Sequence, residues 1–83
     1  MERNEVVETV KVVISEETGI SAEEMKETDQ LMMDLELSSL EVLAVVGELE
    51  RKLMVHVDVN ELNQVATLGN LVDCFFALLK GKA

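Results

Sequence analysis

Asp34-Leu35-Glu36-Leu37-Ser38-Ser39-Leu40-Glu41 reads as a loop running into the start of a helix. Ser38 and Glu41 have the S-x-x-E spacing of a capping box. The Ser38 hydroxyl accepts from the backbone N–H three residues on, and the Glu41 carboxylate reaches back to the Ser38 N–H. Ser39 then falls on the first helical position, with its hydroxyl pointing outward at the positive end of the helix dipole. An anion attached to that oxygen would be stabilised by the free N–H groups of the first turn. Leu40, Leu43, Val46, Leu49 and Leu53 follow at helical spacing and supply the apolar stripe expected to hold this helix on a core. The helix is expected over residues 39–53, about 22 Å long.

That segment holds more apolar surface than one core-facing stripe needs, since Val42, Ala44 and Val45 lie between the members of the stripe. Either both sides of the helix are packed, or some residues such as Val42 and Val45 stay exposed as contacts for a partner. Gly47 sits in mid-helix, where glycine costs about 1 kcal/mol relative to alanine. Spacing alone leaves two readings of Gly47, an opened space or a close packing contact.

The rest of the chain divides on the same signals. Residues 4–18 read as a first helix, with Val6, Val7, Val10, Val13 and Ile14 on one face, Asn4 as N-cap and Gly19 ending it. Ser21-Ala22-Glu23-Glu24 is a second S-x-x-E box, so a short helical turn is expected from Ala22. Met25, Leu31 and Met32 are the expected inward anchors of the long connection that follows. Val55, Val57 and Val59 alternate with His56 and Asp58, which by period alone is a short strand. Asp58 can cap a short helix over about residues 59–65, with Leu62 and Val65 facing in. Thr67 caps a last helix whose apolar face is Leu68, Leu71, Val72, Phe75, Phe76, Leu78 and Leu79. Lys80-Gly81-Lys82-Ala83 is the expected stop.

The chain has 83 residues, 48% of them hydrophobic, and its only aromatic residues are Phe75 and Phe76. That suffices for one small domain over residues 1–83, with an aliphatic, deformable core. Seventeen acidic against seven basic residues give a net charge of −10. Such a balance argues against nucleic acid and anionic membrane surfaces and favours partners with basic patches. Cys74 is the one cysteine and lies in an apolar run, the setting of a buried, inert thiol. His56 has no HxH, HExxH or cysteine partner, so it reads as a loop histidine and no metal is expected. No phosphate-loop or dinucleotide glycine pattern is present. The polar start of the chain and the lack of a long apolar run suggest a cytoplasmic protein with no stable membrane insertion. Nothing in these residues builds a catalytic constellation, so no enzyme is expected.

Residues 34–40 resemble the prosthetic-group site of acyl carrier proteins, whose usual pattern is Asp-Leu-Gly-x-Asp-Ser-Leu. The resemblance continues through Gly47-Glu48-Leu49-Glu50-Arg51-Lys52-Leu53, through Val55-His56-Val57-Asp58 and through the Thr67 to Phe75 segment. It implies an all-α, four-helix bundle of three main helices and one short one, with an extended loop in place of the 54–59 strand. It implies that the cofactor, 4'-phosphopantetheine, is attached covalently to Ser39 by a phosphopantetheinyl transferase. The chain would then hold acyl intermediates as thioesters and shuttle them between enzymes of fatty-acid or related lipid synthesis. Those acyl-transfer and chain-elongating partners are expected to meet Glu41, Glu48 and Glu50, with the chain a monomer. Two positions depart from the pattern: Glu36 stands where the family usually has glycine, and Ser38 where it usually has aspartate. Arg51 and Lys52 fall where many relatives carry glutamate. Other readings of the same residues are a peptidyl, aminoacyl or polyketide carrier using the same arm, or a helical adaptor without a cofactor.

Overall fold

Five residues of one helix face, Val6, Val7, Val10, Val13 and Ile14, are buried together, and the rest of the chain packs around them. In the computed structural model, which describes residues 1–81, they lie on α1, Arg3–Thr18. A three-residue 3₁₀ turn, Ala22–Glu24, opens the long connection to α2, Ser39–Leu53. A short helix, α3, spans Val59–Leu62, and α4 spans Leu68–Lys80. The fold is all-α, as expected, with three main helices and one short one.

The core takes Val45, Val46, Leu49 and Leu53 from α2 and Leu68, Leu71, Val72 and Phe75 from α4. Met25, Leu31, Leu37 and Val57 close it from the connections. The 54–59 segment is a loop despite its alternating valines. Val57 enters the core, and its N–H donates to the Glu50 carboxylate at 2.8 Å in place of a strand neighbour. Among the described residues the only sheet-like pairing is a bridge between Gln30 and Thr67. The Leu31 N–H donates to the Ala66 carbonyl there, and the Leu68 N–H to the Asp29 carbonyl, both at 2.9 Å. These bonds fasten the long connection to the start of α4. Arg3 fastens it a second time, bonding Glu27 at 2.8 Å and Asp73 of α4 at 3.0 Å.

Several expectations are corrected. Leu40 and Leu43 are 78% and 56% exposed, whereas Val45 is buried and Val42 half-buried. Val46, Leu49 and Leu53 of the expected stripe are buried, but at its start the helix is rotated away from Leu40 and Leu43, because the buried line must meet α1. Met32 points outward rather than anchoring the loop. The α1 cap is Glu2, whose N–H donates to Glu5 Oε1 at 2.7 Å, so Asn4 lies inside the helix. Ser21 makes no side-chain cap bond. The third helix ends at Leu62, since the bonds from Gln64 to Glu61 and from Val65 to Leu62 have three-residue, 3₁₀ spacing. Gly19 ends α1 in the left-handed region at φ 82°, as expected, but Gly81 stays right-handed at φ −73°. The expected stop at Lys82 and Ala83 lies outside the described residues.

The rotation of α2 has a measurable consequence. Leu49→Ala should cost about 2–5 kcal/mol in urea unfolding, as a fully buried leucine does, while Leu40→Ala should cost under about 0.5 kcal/mol. Equal costs at the two positions would contradict this orientation.

Candidate functional site

The start of α2 is built by the connection that precedes it. The Gln30 N–H donates to Asp34 Oδ2 at 2.7 Å, and the Asp34 and Leu35 N–H groups donate back to the Gln30 carbonyl at 2.9 and 3.1 Å. Glu36 then takes φ 58°, in the left-handed region that L side chains adopt at a steric cost. This is the position at which the prosthetic-group pattern has glycine, and the turn shows why. The reversal drops Leu37 into the core at 3% exposure, where its N–H donates to the Leu31 carbonyl at 3.0 Å. Leu37 thus pins the chain one residue before the helix cap.

Ser38 has extended backbone and closes the capping box. The Glu41 N–H donates to Ser38 Oγ at 3.1 Å, and the Ser38 N–H donates to Glu41 Oε1 at 2.8 Å. Ser38 therefore does the work of the pattern's aspartate. Ser39 is the first residue of the 15-residue helix and is exposed. Of the first-turn N–H groups, that of Glu41 is taken by Ser38, while those of Ser39 and Leu40 have no partner within the helix. An exposed hydroxyl beside those donors, at the positive end of the dipole, fits a covalently attached phosphodiester.

Beside this helix start lies a cleft of about 420 Å³, lined by Leu31, Met32, Met33, Val42, Val65 and Ala66 with Gln30 at its edge. A second groove, about 500 Å³, runs between α3 and α4 past Glu61, Asp73 and Cys74. Burial and the adjacent Glu61 carboxylate, 3.8 Å from Sγ, push the Cys74 thiol up from its ordinary pKa, which keeps it protonated and unreactive. Among the described residues no cluster of three potential metal ligands occurs. His56 is a loop side chain, 90% exposed, with Nδ1 3.2 Å from Glu50.

The three acids expected to meet partners each have an internal bond. Glu41 serves the cap, Glu48 pairs with Arg51, and Glu50 holds Val57 and His56. They are not gathered into one cluster. Leu37 and Val57 are core residues that helical periodicity does not mark: Leu37 is a lone apolar side chain before the cap, and Val57 belongs to a period-two alternation that reads as a strand. At Gly47 a Cβ would meet nothing nearer than Arg51 Nη1 at 4.0 Å. Close packing is therefore not the reason for that glycine.

The family model for the phosphopantetheine attachment site matches residues 8–75. The chain belongs to the acyl carrier protein family. It is 32% identical over 73 residues to the acyl carrier protein of Saccharopolyspora erythraea, covering 88% of this chain and 77% of that one. Against the acyl carrier protein of Thermotoga maritima it is 33% identical over 70 residues, 84% of this chain and 86% of the other. The acyl carrier protein of Wolinella succinogenes is 31% identical over 67 residues, with coverages of 81% and 88%. The protein is accordingly a carrier and not a catalyst, and its family cofactor is 4'-phosphopantetheine. Among the described residues no helix is long and apolar enough to cross a membrane.

The carrier's helix start yields opposed stability changes. Glu36→Gly should raise unfolding free energy by about 1 kcal/mol, by relieving the left-handed strain. Ser38→Ala should lower it by about 1 kcal/mol, by removing the cap. Urea denaturation followed by circular dichroism reads both.

Proposed function

We propose that Ser39 bears the 4'-phosphopantetheine arm and that the chain, as one carrier domain over residues 1–83, serves fatty-acyl or related lipid synthesis in the cytoplasm. The observation that carries this reading is the exposed Ser39 hydroxyl on the first turn of a helix whose cap is satisfied by its neighbour Ser38. Because Ser38 caps, Ser39 has no structural bond to give up on modification. When bound, the arm supplies a thiol that carries acyl groups as thioesters. The protein's own residues do the rest. The first-turn N–H groups stabilise the phosphate charge, and Leu37 keeps the attachment point fixed relative to the core.

An acyl chain would be sheltered through the apolar cleft at Met32, Met33, Val42 and Val65. Each buried methylene is worth about 0.8 kcal/mol, offset in part by parting an aliphatic core. The net charge of −10 steers partners that present basic patches, with Glu41, Glu48 and Glu50 as the α2 share of that field. The partners are a phosphopantetheinyl transferase and acyl-transfer or chain-elongating enzymes, met by a monomeric carrier in weak, fast encounters. The acidic surface favours fatty-acyl cargo over an aminoacyl, peptidyl or polyketide unit.

Intact mass after incubation with coenzyme A and a promiscuous phosphopantetheinyl transferase tests the attachment site. The wild-type chain and Ser38→Ala should each gain one arm, and Ser39→Ala none; an arm on Ser39→Ala would refute it. Loading with a medium-chain acyl group should then raise the melting temperature, by about 4–8 °C for each net kcal/mol gained. An unchanged melting temperature would show that the acyl chain stays in solvent.

A further inference from the structure

Two adjacent methionines of the long connection stand in the open. Met32 is 55% and Met33 76% exposed, yet both line the cleft beside the start of α2. The backbone that bears them is fixed on either side. Leu31 is buried, with its N–H on the Ala66 carbonyl, and Asp34 closes the turn on Gln30 through both its carboxylate and its N–H. The two side chains can therefore change position while the loop stays where it is. Methionine suits that task, being unbranched, flexible and able to reshape itself to an irregular apolar surface. The same cleft is lined by Val42 and Val65, both half-buried. Closing the methionines over an apolar chain would remove their own surface from water along with the chain's.

We propose that Met32 and Met33 fold over the carried acyl chain as a side-chain lid, and that their thioethers are a peroxide modification site which the chain covers. This rests on Ser39 as the attachment point and on the sheltering of an acyl chain in that cleft. The oxidant is hydrogen peroxide, whose lack of charge spares it repulsion by the net charge of −10. A sulfur lone pair attacks one peroxide oxygen and the O–O bond breaks. The second oxygen leaves as water, taking the proton of the first, so the sulfur is oxidised to a sulfoxide and the peroxide reduced. A sulfoxide is polar, so it holds to water and opposes closure over an apolar chain. An empty carrier is then oxidised and loses its lid, while a loaded one is protected by its cargo.

Other methionines supply internal references. Met25 is buried, and Met54 is 75% exposed but is not among the residues that line the cleft. Trypsin separates them: residues 27–51 hold Met32 and Met33 alone, residues 12–26 hold Met25, and residues 53–80 hold Met54. The full chain is loaded with an arm bearing an acetyl or an octanoyl group and pulsed with dilute hydrogen peroxide, and its peptides are followed by tandem mass spectrometry. Octanoyl should slow oxidation of Met32 and Met33 by about fivefold or more relative to acetyl, with Met54 unchanged and Met25 slow in both. Oxidising the chain before it is loaded should remove about half or more of the rise in melting temperature that octanoyl brings. The double variant Met32→Leu, Met33→Leu should keep that rise after the same treatment. Equal rates at Met32 and Met33 with the two groups, or a leucine pair that loses the rise as wild type does, would each overturn the lid. A wild-type chain that takes no arm would instead remove the Ser39 reading, and an octanoyl group that leaves the melting temperature unchanged would remove the sheltering.

Discussion

The reciprocal bonds between Ser38 and Glu41 are the constraint on which the function-bearing end of this carrier depends. A helix can begin at more than one residue of a stretch such as Leu37-Ser38-Ser39-Leu40. Here two neighbours remove that freedom. Leu37 is committed to the core, so the chain cannot continue helically backward without pulling it out. Ser38 then satisfies the Glu41 N–H while Glu41 satisfies its own. Adjacent serines thus take different tasks. One closes the backbone accounting of the helix end, and the other is left exposed with nothing to close.

The turn at Glu36 shows how such a constraint reaches back along the chain. Burying Leu37 directly after the Gln30–Asp34 turn requires a left-handed residue between them. Glycine meets that demand without strain, and glutamate meets it at a cost of about 1 kcal/mol. The cost is borne because the buried leucine and the helix cap over-determine the conformation.

Legibility followed period and capping chemistry. The α1 stripe from Val6 to Ile14, the Thr67 cap and the Ser38 box could be read because each leaves a mark at fixed spacing. The face of α2 could not. Its apolar residues surround most of the helix, so a line through Leu40, Leu43 and Val46 and a line through Val45, Val46 and Leu49 satisfy the same periodicity. Only the position of α1 decides between them, and that is a tertiary fact. Leu37 escaped for the complementary reason, since it enters the core from a loop with no period around it, and Val57 escaped because its alternation with Val55 and Val59 reads as a strand. The site itself was legible as a helix start, because capping is a local contest among a few backbone groups.

The two sides of α2 thereby face different demands. At its start, the cap, the left-handed turn and Leu37 hold one hydroxyl in a fixed place. Alongside, the cleft is walled by Met32 and Met33, both exposed, and by Val65 just beyond a helix of only four residues. So short a helix gains little from its own hydrogen bonds and depends on the packing of Leu62 and Val65. Local opening draws on such weakly held elements first. Val65, which follows α3 directly, is one wall of the cleft, while the Ser38 cap bonds involve no residue of α3. Order at the helix cap and softness beside it are compatible because the cap bonds do not pass through α3.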